Sequence, residues 1–379
     1  MIVDAPNVQS LNRGPVAPGN LPDGTVVSSN SARCHRARTG DKSGRHSLSG
    51  RLPGVADRRA RSMNGPGFAH ESVMLGEILD VFAGLEGGVF LDGTLGGAGH
   101  ARAILAAHPG VRLLGLDQDQ FALDSARRTL EDAGLGGRAT LRRARFDSVS
   151  NVAAEEGIGS LAGALFDLGV SSPQFDTAER GFSYRFEGPL DMRMDRDRAF
   201  SADDVVNGYD VESLARVLRD NADERFAHRI ATAIVASRPV RSTSHLAEIV
   251  VAAIPAPARR RGGHPAKRTF QAVRIEVNAE LEIIAPTLRS TIGLLAPGAR
   301  LAVITFHSGE DRIVKSVFRS AETGDCSCPT GLPCACGALR TVRRVRAPRE
   351  ASRAETAANP RSASARLRVV EKIAVGAGD

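Results

Sequence analysis

Glycines and carboxylates in one segment of this 379-residue chain have the spacing of a nucleotide-binding turn. Residues 92–100 begin with Asp92, contain four glycines and lie between an apolar stretch and a helical pattern. Glycines let a ligand approach the backbone closely, and a helix N-terminus offers free N–H groups. Asp117 ends the next apolar stretch, where a carboxylate would accept ribose hydroxyls. The spacing is not G-x-G-x-x-G, which disfavours NAD, and a turn that serves only tight packing is the alternative.

A second polar segment follows a later apolar stretch. Asp167 is followed by Ser171, Ser172 and Gln174, with Pro173 to stiffen the turn. In doubly wound sheets the chemistry lies beyond the carboxyl ends of the central strands, so this loop is expected to face the ligand of the first segment. A carboxylate and two hydroxyls can orient an amino group by hydrogen bonds. The alternative is an ordinary strand end with an Asx or Ser turn.

Basic residues concentrate between 259 and 268. The sequence marks Arg259, Arg260, Lys267 and Arg268 as candidate ligands of nucleic-acid phosphates, around flexible glycines. A solvated loop between helices is the alternative interpretation. The charges of residues 191–198 alternate in sign instead, which predicts ion pairs rather than a metal site.

Four of the five cysteines cluster in a short stretch, at Cys326, Cys328, Cys334 and Cys336. In a reducing compartment they are expected to be thiols or metal ligands rather than disulfides. The C-x-C spacing is tighter than the usual C-x₂₋₄-C of zinc sites, and no histidine lies nearby. We therefore assign no metal to the predicted site and keep these four cysteines as the alternative.

The elements that must position these residues follow from the apolar pattern. Short apolar stretches alternate with helical patterns from residue 88 to 168, which predicts a parallel sheet with right-handed crossovers. From 174 to 272 the spacing is helical or irregular, and a single long helix is predicted over 275–295. Strands are expected again at 300–306 and 365–373. The pattern therefore predicts an α/β domain interrupted by a helical module.

Composition separates the first 66 residues from the rest. They are rich in Gly, Pro, Ser and Arg, lack apolar periodicity and are expected to form a disordered tail. The chain has a formal net charge of +7, but ten basic and four acidic residues lie in this tail. The remainder is nearly neutral, so the total charge is weak evidence for nucleic-acid binding. No apolar run is long enough to span a membrane, and the first residues lack a signal-peptide pattern, so a cytoplasmic location is expected.

Several blocks of the chain recur in this order in one family. The blocks are residues 92–100, 167–174, 179–183, 188–195, 264–272 and 306–315. Through them the chain, from about Phe68 to Lys372, resembles the MraW (RsmH) family of S-adenosylmethionine-dependent methyltransferases. That family acts on cytidine N4 in the decoding region of small-subunit (16S) ribosomal RNA, and the resemblance implies the small ribosomal subunit as partner. Whether the chain is a monomer or a homodimer stays open.

The resemblance implies a Rossmann-like class I methyltransferase core with an inserted helical domain that recognises the substrate. The implied limits are a tail over 1–66, core over 67–173, insert over 174–276 and core over 277–375, with the cysteine loop at 326–336. The implied contacts of S-adenosylmethionine are Ala98, Gly99, His100, Asp117, Phe146, Asp167 and Gln174. Two residues depart from the family pattern: Ala98 stands where glycine is usual, and Gly309 where leucine is usual.

The chemistry of such a transfer needs a group that accepts the proton of the attacking amine. The lone pair of a cytosine N4 is delocalised into the ring, so an acceptor for its N–H would localise the lone pair and take the proton. Asp167 is the main candidate, with Ser171, Ser172 or the backbone carbonyls at 168–169 as alternatives. Phe175, Phe182 or Tyr184 are candidates to stack on a base turned out of the RNA. A DNA amino-methyltransferase and a non-catalytic RNA-binding assembly factor are the rival functions.

Overall fold

The computed structural model describes residues 72–259, 263–329 and 335–374. The predicted tail over 1–66 lies outside these residues, as do Arg260 and Cys334 and the side chain of Ser172. None of the helices in the described ranges is long and apolar enough to cross a membrane.

The described strands form one mixed sheet with both faces covered by helices. The strands are β1 (Gly88–Asp92), β2 (Val111–Asp117), β3 (Ala139–Arg143), β4 (Leu161–Asp167), β5 (Leu295–Thr305), β6 (Val342–Arg344) and β7 (Arg366–Lys372). Their order is β3-β2-β1-β4-β5-β7-β6; the first five are parallel, and β7 is antiparallel to both neighbours. The chain winds outward in both directions from the β1–β4 pair. Such a switch point places ligands at the carboxyl ends of these strands.

Helices account for most of the remaining described elements. They are α1 (Leu75–Phe82), α2 (Gly99–Ala107), α3 (Gln120–Asp132), α4 (Val149–Glu155), α5 (Ser172–Asp176), α6 (Val211–Ala222), α7 (Ala227–Ala236), α8 (Thr243–Ala253), α9 (Ala256–Arg259), α10 (Lys267–Asn278), α11 (Glu280–Leu294), α12 (Ser308–Thr323) and α13 (Arg353–Ala358). Single 3₁₀ turns occur at Gly136–Arg138, Phe146–Ser148, Ala178–Arg180 and Pro360–Ser364, and a π-helical turn at Asp204–Gly208. The predicted α/β class is confirmed.

Two apolar clusters hold helices against the sheet, one on each face. Apolar residues of α1, α2 and α3 bury against one face, whereas α4, α11 and α12 cover the other. Strand side chains alternate between the faces: Phe90 belongs to the first cluster and Leu91 to the second, and both are fully buried. This burial on both sides explains why the strands are nearly continuous apolar runs.

A third apolar cluster belongs to the helical part of the chain. It extends from Phe182 to Val277 and combines the buried faces of α6, α7, α8 and α10 with the preceding loop. Arg143 on β3 forms ion pairs with Asp195 at 2.7 Å and with Asp197 at 2.6 Å. The ion pairs predicted for the segment of alternating charge are therefore confirmed. Because these groups are largely exposed, the pairs orient the loop rather than add much stability.

The predicted helix over 275–295 is wrong, because two helices occupy this region. Ala279 adopts a left-handed conformation with φ 53°, which separates α10 from α11. Asn278 is buried beside the break: its Oδ1 accepts from the Met194 N–H at 2.9 Å, and its Nδ2 donates to the Met192 carbonyl at 2.8 Å. These contacts stabilise the break between α10 and α11. The sequence gives no local sign of the break, because alanine rarely adopts a left-handed conformation. Strand β5 then begins at Leu295, earlier than expected, and β6 was not predicted.

Replacing Asn278 with Ala is expected to lower the free energy of unfolding by about 2–3 kcal/mol, because buried groups at Met192 and Met194 lose their partners. The measurement is urea unfolding followed by far-UV circular dichroism. Asn151→Ala, at an exposed position on α4, serves as the control and is expected to change little. Equal losses for both variants would contradict the role given to Asn278.

Candidate active site

Three aspartates lie at the carboxyl ends of adjacent parallel strands. Asp92 ends β1, Asp117 ends β2 and Asp167 ends β4, with β1 hydrogen-bonded between the other two. The register pairs Asp92 with Gly115 on one side and with Leu165 on the other. The predicted polar segments therefore meet at one edge of the sheet.

The turn after β1 is held by backbone and side-chain hydrogen bonds to its neighbours. The Gly96 N–H donates to Asp117 Oδ2 at 2.9 Å, and the Asp167 N–H donates to the Thr94 hydroxyl at 2.6 Å. Gly96 has φ 52°, and Ala98, directly before α2, has φ 63°. Ala98 is thus left-handed and fully buried, at a cost of roughly 1–2 kcal/mol relative to glycine. The backbone follows the path that the usual glycine would take.

His100 is a neutral histidine that faces Asp167. Burial lowers the pKa of His100 to about 4, and its Nε2 lies 2.9 Å from the Val73 carbonyl. A carbonyl only accepts, so Nε2 carries the proton and Nδ1 is the acceptor. Nδ1 lies 3.8 Å from Asp167 Oδ2, and because the imidazole is uncharged this contact is not an ion pair. His100 therefore provides an acceptor next to the carboxyl.

Asp167 has the fewest hydrogen-bond partners for its carboxyl oxygens among the three strand-end aspartates. Its Oδ1 is buried and has no hydrogen-bond partner among the described residues, while 26% of the side chain is exposed. Burial, together with the negative charges of Asp92 and Glu310, raises the pKa of Asp167 to about 8. A carboxyl that is open on one side and unpaired on the other is suited to a polar or cationic ligand.

The other two strand-end carboxyls share this environment. Burial raises the pKa of Asp92 to about 7 and that of Asp117 to about 6, although backbone N–H donors partly offset both increases. Asp117 accepts from the N–H groups of Gly96 and Asp119, and a carboxylate has about four acceptor positions. It therefore keeps capacity for the hydroxyls of a ribose.

A buried ion pair fixes the loop beyond Asp117. Arg180 donates from NH1 to Asp119 Oδ2 at 2.7 Å and from NH2 to the Met194 carbonyl at 3.1 Å. Gln174 donates to the same Asp119 oxygen at 3.1 Å, and its Oε1 accepts from the Ser171 N–H at 3.0 Å. Asp119 thus connects the β2 edge to the segment after β4. The sequence analysis gave no role to Asp119 or Arg180; the only signal was that Arg180 lies in one of the recurring blocks.

The predicted cofactor residues converge on this edge. Phe146 lies in the turn after β3, half-buried, with its ring edge-to-face to Phe166 at 5.9 Å. A cleft beside Asp117 is lined by Gln118, Arg143, Ala144, Arg145, Asp195, Asp197 and Arg198. S-adenosylmethionine fits these features: the left-handed turn and the α2 N-terminus offer backbone N–H groups, Asp117 offers an acceptor, and Asp167 offers a carboxyl whose ionised form a cationic ligand would favour.

The predicted phosphate ligands lie apart from the cofactor edge and differ from one another. Arg259 donates to the carbonyls of Ile254 and Ala252, at 2.7 and 3.0 Å, which ties it to the end of α8. Lys267 and Arg268 are exposed at the start of α10. Arg268 donates to the Asp223 carbonyl at 2.5 Å, and Arg312 of α12 lies 3.7 Å from the Asp223 carboxylate.

The aromatic residues considered for base stacking already have partners. Phe182 is buried in the helical cluster and packs against Phe175 at 6.5 Å, so its ring is not available to a base. Tyr184 stacks on His264 at 4.4 Å and contacts Phe270 edge-on. Tyr184 and Phe175 are only partly buried, so both remain candidates for stacking on a base.

The sheet order, the glycine-rich turn and the strand-end carboxylates define an S-adenosylmethionine-dependent methyltransferase. The MraW methylase family matches residues 67–373, and the chain belongs to this family. Three similar proteins bear the name ribosomal RNA small subunit methyltransferase H. The relative from Symbiobacterium thermophilum is 50% identical over 82% of this chain and 98% of its own length. The relative from Heliobacterium modesticaldum is 50% identical over 81% of this chain and 99% of its own length. The relative from Thermobifida fusca is 47% identical over 85% of this chain and 99% of its own length.

Cofactor binding is expected to strengthen as pH rises from about 6 to 8, by at most about tenfold per pH unit. Because the pKa values of Asp92 and Asp167 are raised, these carboxyls ionise in this pH window, and their ionisation destabilises the ligand-free protein. A cationic ligand stabilises the ionised carboxyls, so it binds more tightly as they lose their protons. Calorimetric titration with S-adenosylmethionine, which carries the sulfonium charge that S-adenosylhomocysteine lacks, is the measurement. Asp167→Asn is expected to flatten the profile between pH 7 and 8, whereas Asp80→Asn, at an exposed position on α1, is expected to retain it. A flat profile for the unsubstituted protein would refute the argument.

Proposed function

We propose that this chain transfers a methyl group from S-adenosylmethionine to the exocyclic N4 of a cytidine in the decoding region of small-subunit ribosomal RNA, in the cytoplasm. The observation that carries the proposal is Asp167 at the end of β4 beside the cofactor turn, whose buried Oδ1 has no hydrogen-bond partner among the described residues. When bound, the cofactor supplies an electrophilic methyl group on a sulfonium. The other support is the set of relatives named ribosomal RNA small subunit methyltransferase H, while the choice of cytidine N4 rests on the family resemblance.

Asp167 would accept the proton of the attacking amino group. Its pKa near 8 matches the pH of the cell, which suits a group that must exchange a proton. Gly169, with φ 105°, turns the chain two residues after Asp167. Ser171 begins the next turn, in which its backbone carbonyl accepts from the Gln174 N–H at 3.1 Å. The Leu168 N–H is engaged by the Ile304 carbonyl at 3.0 Å, so the loop is anchored to β5. A rigid loop positions the acceptor, and positioning supplies much of the rate.

RNA recognition would combine the helical region with the start of α12. We propose that residues 174–276 form the substrate-recognition insert, because the third apolar cluster lies almost entirely within them. Arg268 from α10 and Arg312 from α12 both approach Asp223, and Ser308 donates to the same carboxylate at 3.2 Å. Helix α12 begins just after the carboxyl end of β5, on the edge that carries Asp167. These two arginines therefore lie on a path from the insert to the reacting edge, and Arg312 is a residue that the sequence analysis did not single out.

Asp167→Asn is expected to reduce methyl transfer to small subunits from a strain that lacks this protein by roughly 10²–10⁴-fold at saturating cofactor. The readout is single-turnover transfer of a labelled methyl group, with the product nucleoside identified by mass spectrometry. Ser171→Ala is the comparison, and a smaller effect is expected for it because its hydroxyl is secondary to the carboxylate. Wild-type turnover of Asp167→Asn would reject its role. Transfer to carbon, or to naked DNA in preference to subunits, would reject the proposed substrate.

Arg268→Ala and Arg312→Ala are each expected to weaken binding to the small subunit and to reduce the slope of log affinity against log salt by about one. Each removes one phosphate contact while leaving the cofactor edge intact. Arg127→Ala, at an exposed position on α3, is the control. Affinities that match those of the control would place the RNA elsewhere on the protein.

A further inference from the structure

Three cysteine sulfurs meet in the loop between α12 and β6. The Sγ atoms of Cys326, Cys328 and Cys336 lie within 4.8 Å of one another, and those of Cys326 and Cys336 are 3.5 Å apart. Two tetrahedral ligands at a Zn–S distance of about 2.3 Å are about 3.8 Å apart, so the distance between Cys326 and Cys336 is close to that in a thiolate metal site, and the third sulfur lies near enough to join them. The loop lies outside the machinery described above.

The loop is closed at its base but has little apolar material of its own. The Thr341 N–H donates to the Ala321 carbonyl at 2.9 Å, and a Cβ on Gly324 would lie 2.7 Å from the Leu339 backbone. Leu339, the large apolar residue at this neck, is 72% exposed. The described residues of this loop, 324–329 and 335–341, are all exposed or only partly buried, so the loop needs another interaction to offset its conformational entropy.

A backbone N–H also donates a hydrogen bond to one of the sulfurs. The Ala335 N–H lies 3.4 Å from Cys328 Sγ, so this sulfur accepts a hydrogen bond from the opposite side of the loop. Donors of this kind stabilise thiolates and orient them in metal sites. A disulfide between Cys326 and Cys336 would need an S–S distance near 2.05 Å, well below the 3.5 Å between these two sulfurs.

We propose that Cys326, Cys328 and Cys336 bind one zinc ion that orders the loop between α12 and β6. Binding converts the three thiols to thiolates and releases three protons to solvent; no electron is transferred. Soft thiolate ligands select zinc over magnesium or calcium. Helix α12 starts at the reacting edge and its far end leads into this loop, so the zinc acts on stability and loop order rather than on methyl transfer.

The test is the metal content of the full-length protein, expressed with added zinc and purified without chelator. Mass spectrometry of metals is expected to find about one zinc per chain for the unsubstituted protein and for Cys34→Ser, and less than about 0.1 for Cys328→Ser and Cys336→Ser. Cys328→His, which keeps a zinc ligand, is expected to restore most of the metal. Binding of S-adenosylhomocysteine by each variant verifies that it is folded.

Two further measurements decide the outcome. Cobalt added to the zinc-free protein is expected to give thiolate-to-metal absorption that Cys328→Ser lacks, and a chelator is expected to expose residues 324–341 to protease. A zinc-free protein with no cobalt spectrum would overturn the proposal. The proposal would also be overturned if the protein purified without reductant had a mass lower by two hydrogens per disulfide, which would show that the cysteines are oxidised. Equal zinc contents in Cys328→Ser and Cys34→Ser would overturn it as well.

Discussion

The parallel pairing of β2, β1 and β4 is the constraint on which the site depends. It brings Asp117, Asp92 and Asp167 to one desolvated edge, where burial raises the pKa of all three carboxyls. The charge of Asp117 adds to the rise at Asp92, and that of Asp92 adds to the rise at Asp167. Helices packed on both faces stabilise this arrangement, since the strands below the edge are buried on both sides. The edge is thus a rigid frame of carboxyls that are costly to ionise, and a cationic nucleoside cofactor would favour their ionised forms.

A second constraint joins the helical region to that frame. Arg180 and Gln174 both reach Asp119, so the segment after β4 is held against the end of β2 by buried polar contacts. A buried pair of this kind adds little net stability, but breaking it leaves a charge without a partner. It therefore fixes the position of the loop that carries Ser171 relative to the end of β2.

The sequence was a good guide to the frame and a poorer guide to what lies around it. Apolar runs with acidic ends predicted β1, β2 and β4 closely, because buried parallel strands need continuous apolar residues. It failed at Ala279, where the helix break depends on Asn278 reaching Met192 and Met194, residues some 85 positions away. Arg259 was predicted to bind phosphate from its place in a basic stretch with glycines. Its guanidinium donates to the carbonyls of Ala252 and Ile254, contacts that the sequence did not indicate, and phosphate binding by Arg259 stays a prediction.

The sequence by itself determined the α/β class, the glycine-rich turn and the identity of the carboxylates, because these depend on local pattern and on blocks that resemble one family. Only the tertiary structure decided which groups are unpaired. Asp167 has a raised pKa because it is buried near Asp92 and Glu310. His100 is neutral because it is buried, and the Val73 carbonyl fixes which of its ring nitrogens carries the proton. The approach of three cysteines likewise depends on how the loop closes on itself. The burial of a residue and its hydrogen-bond partners depend on which distant segments pack around it. The spacing of residues along the sequence does not specify that packing.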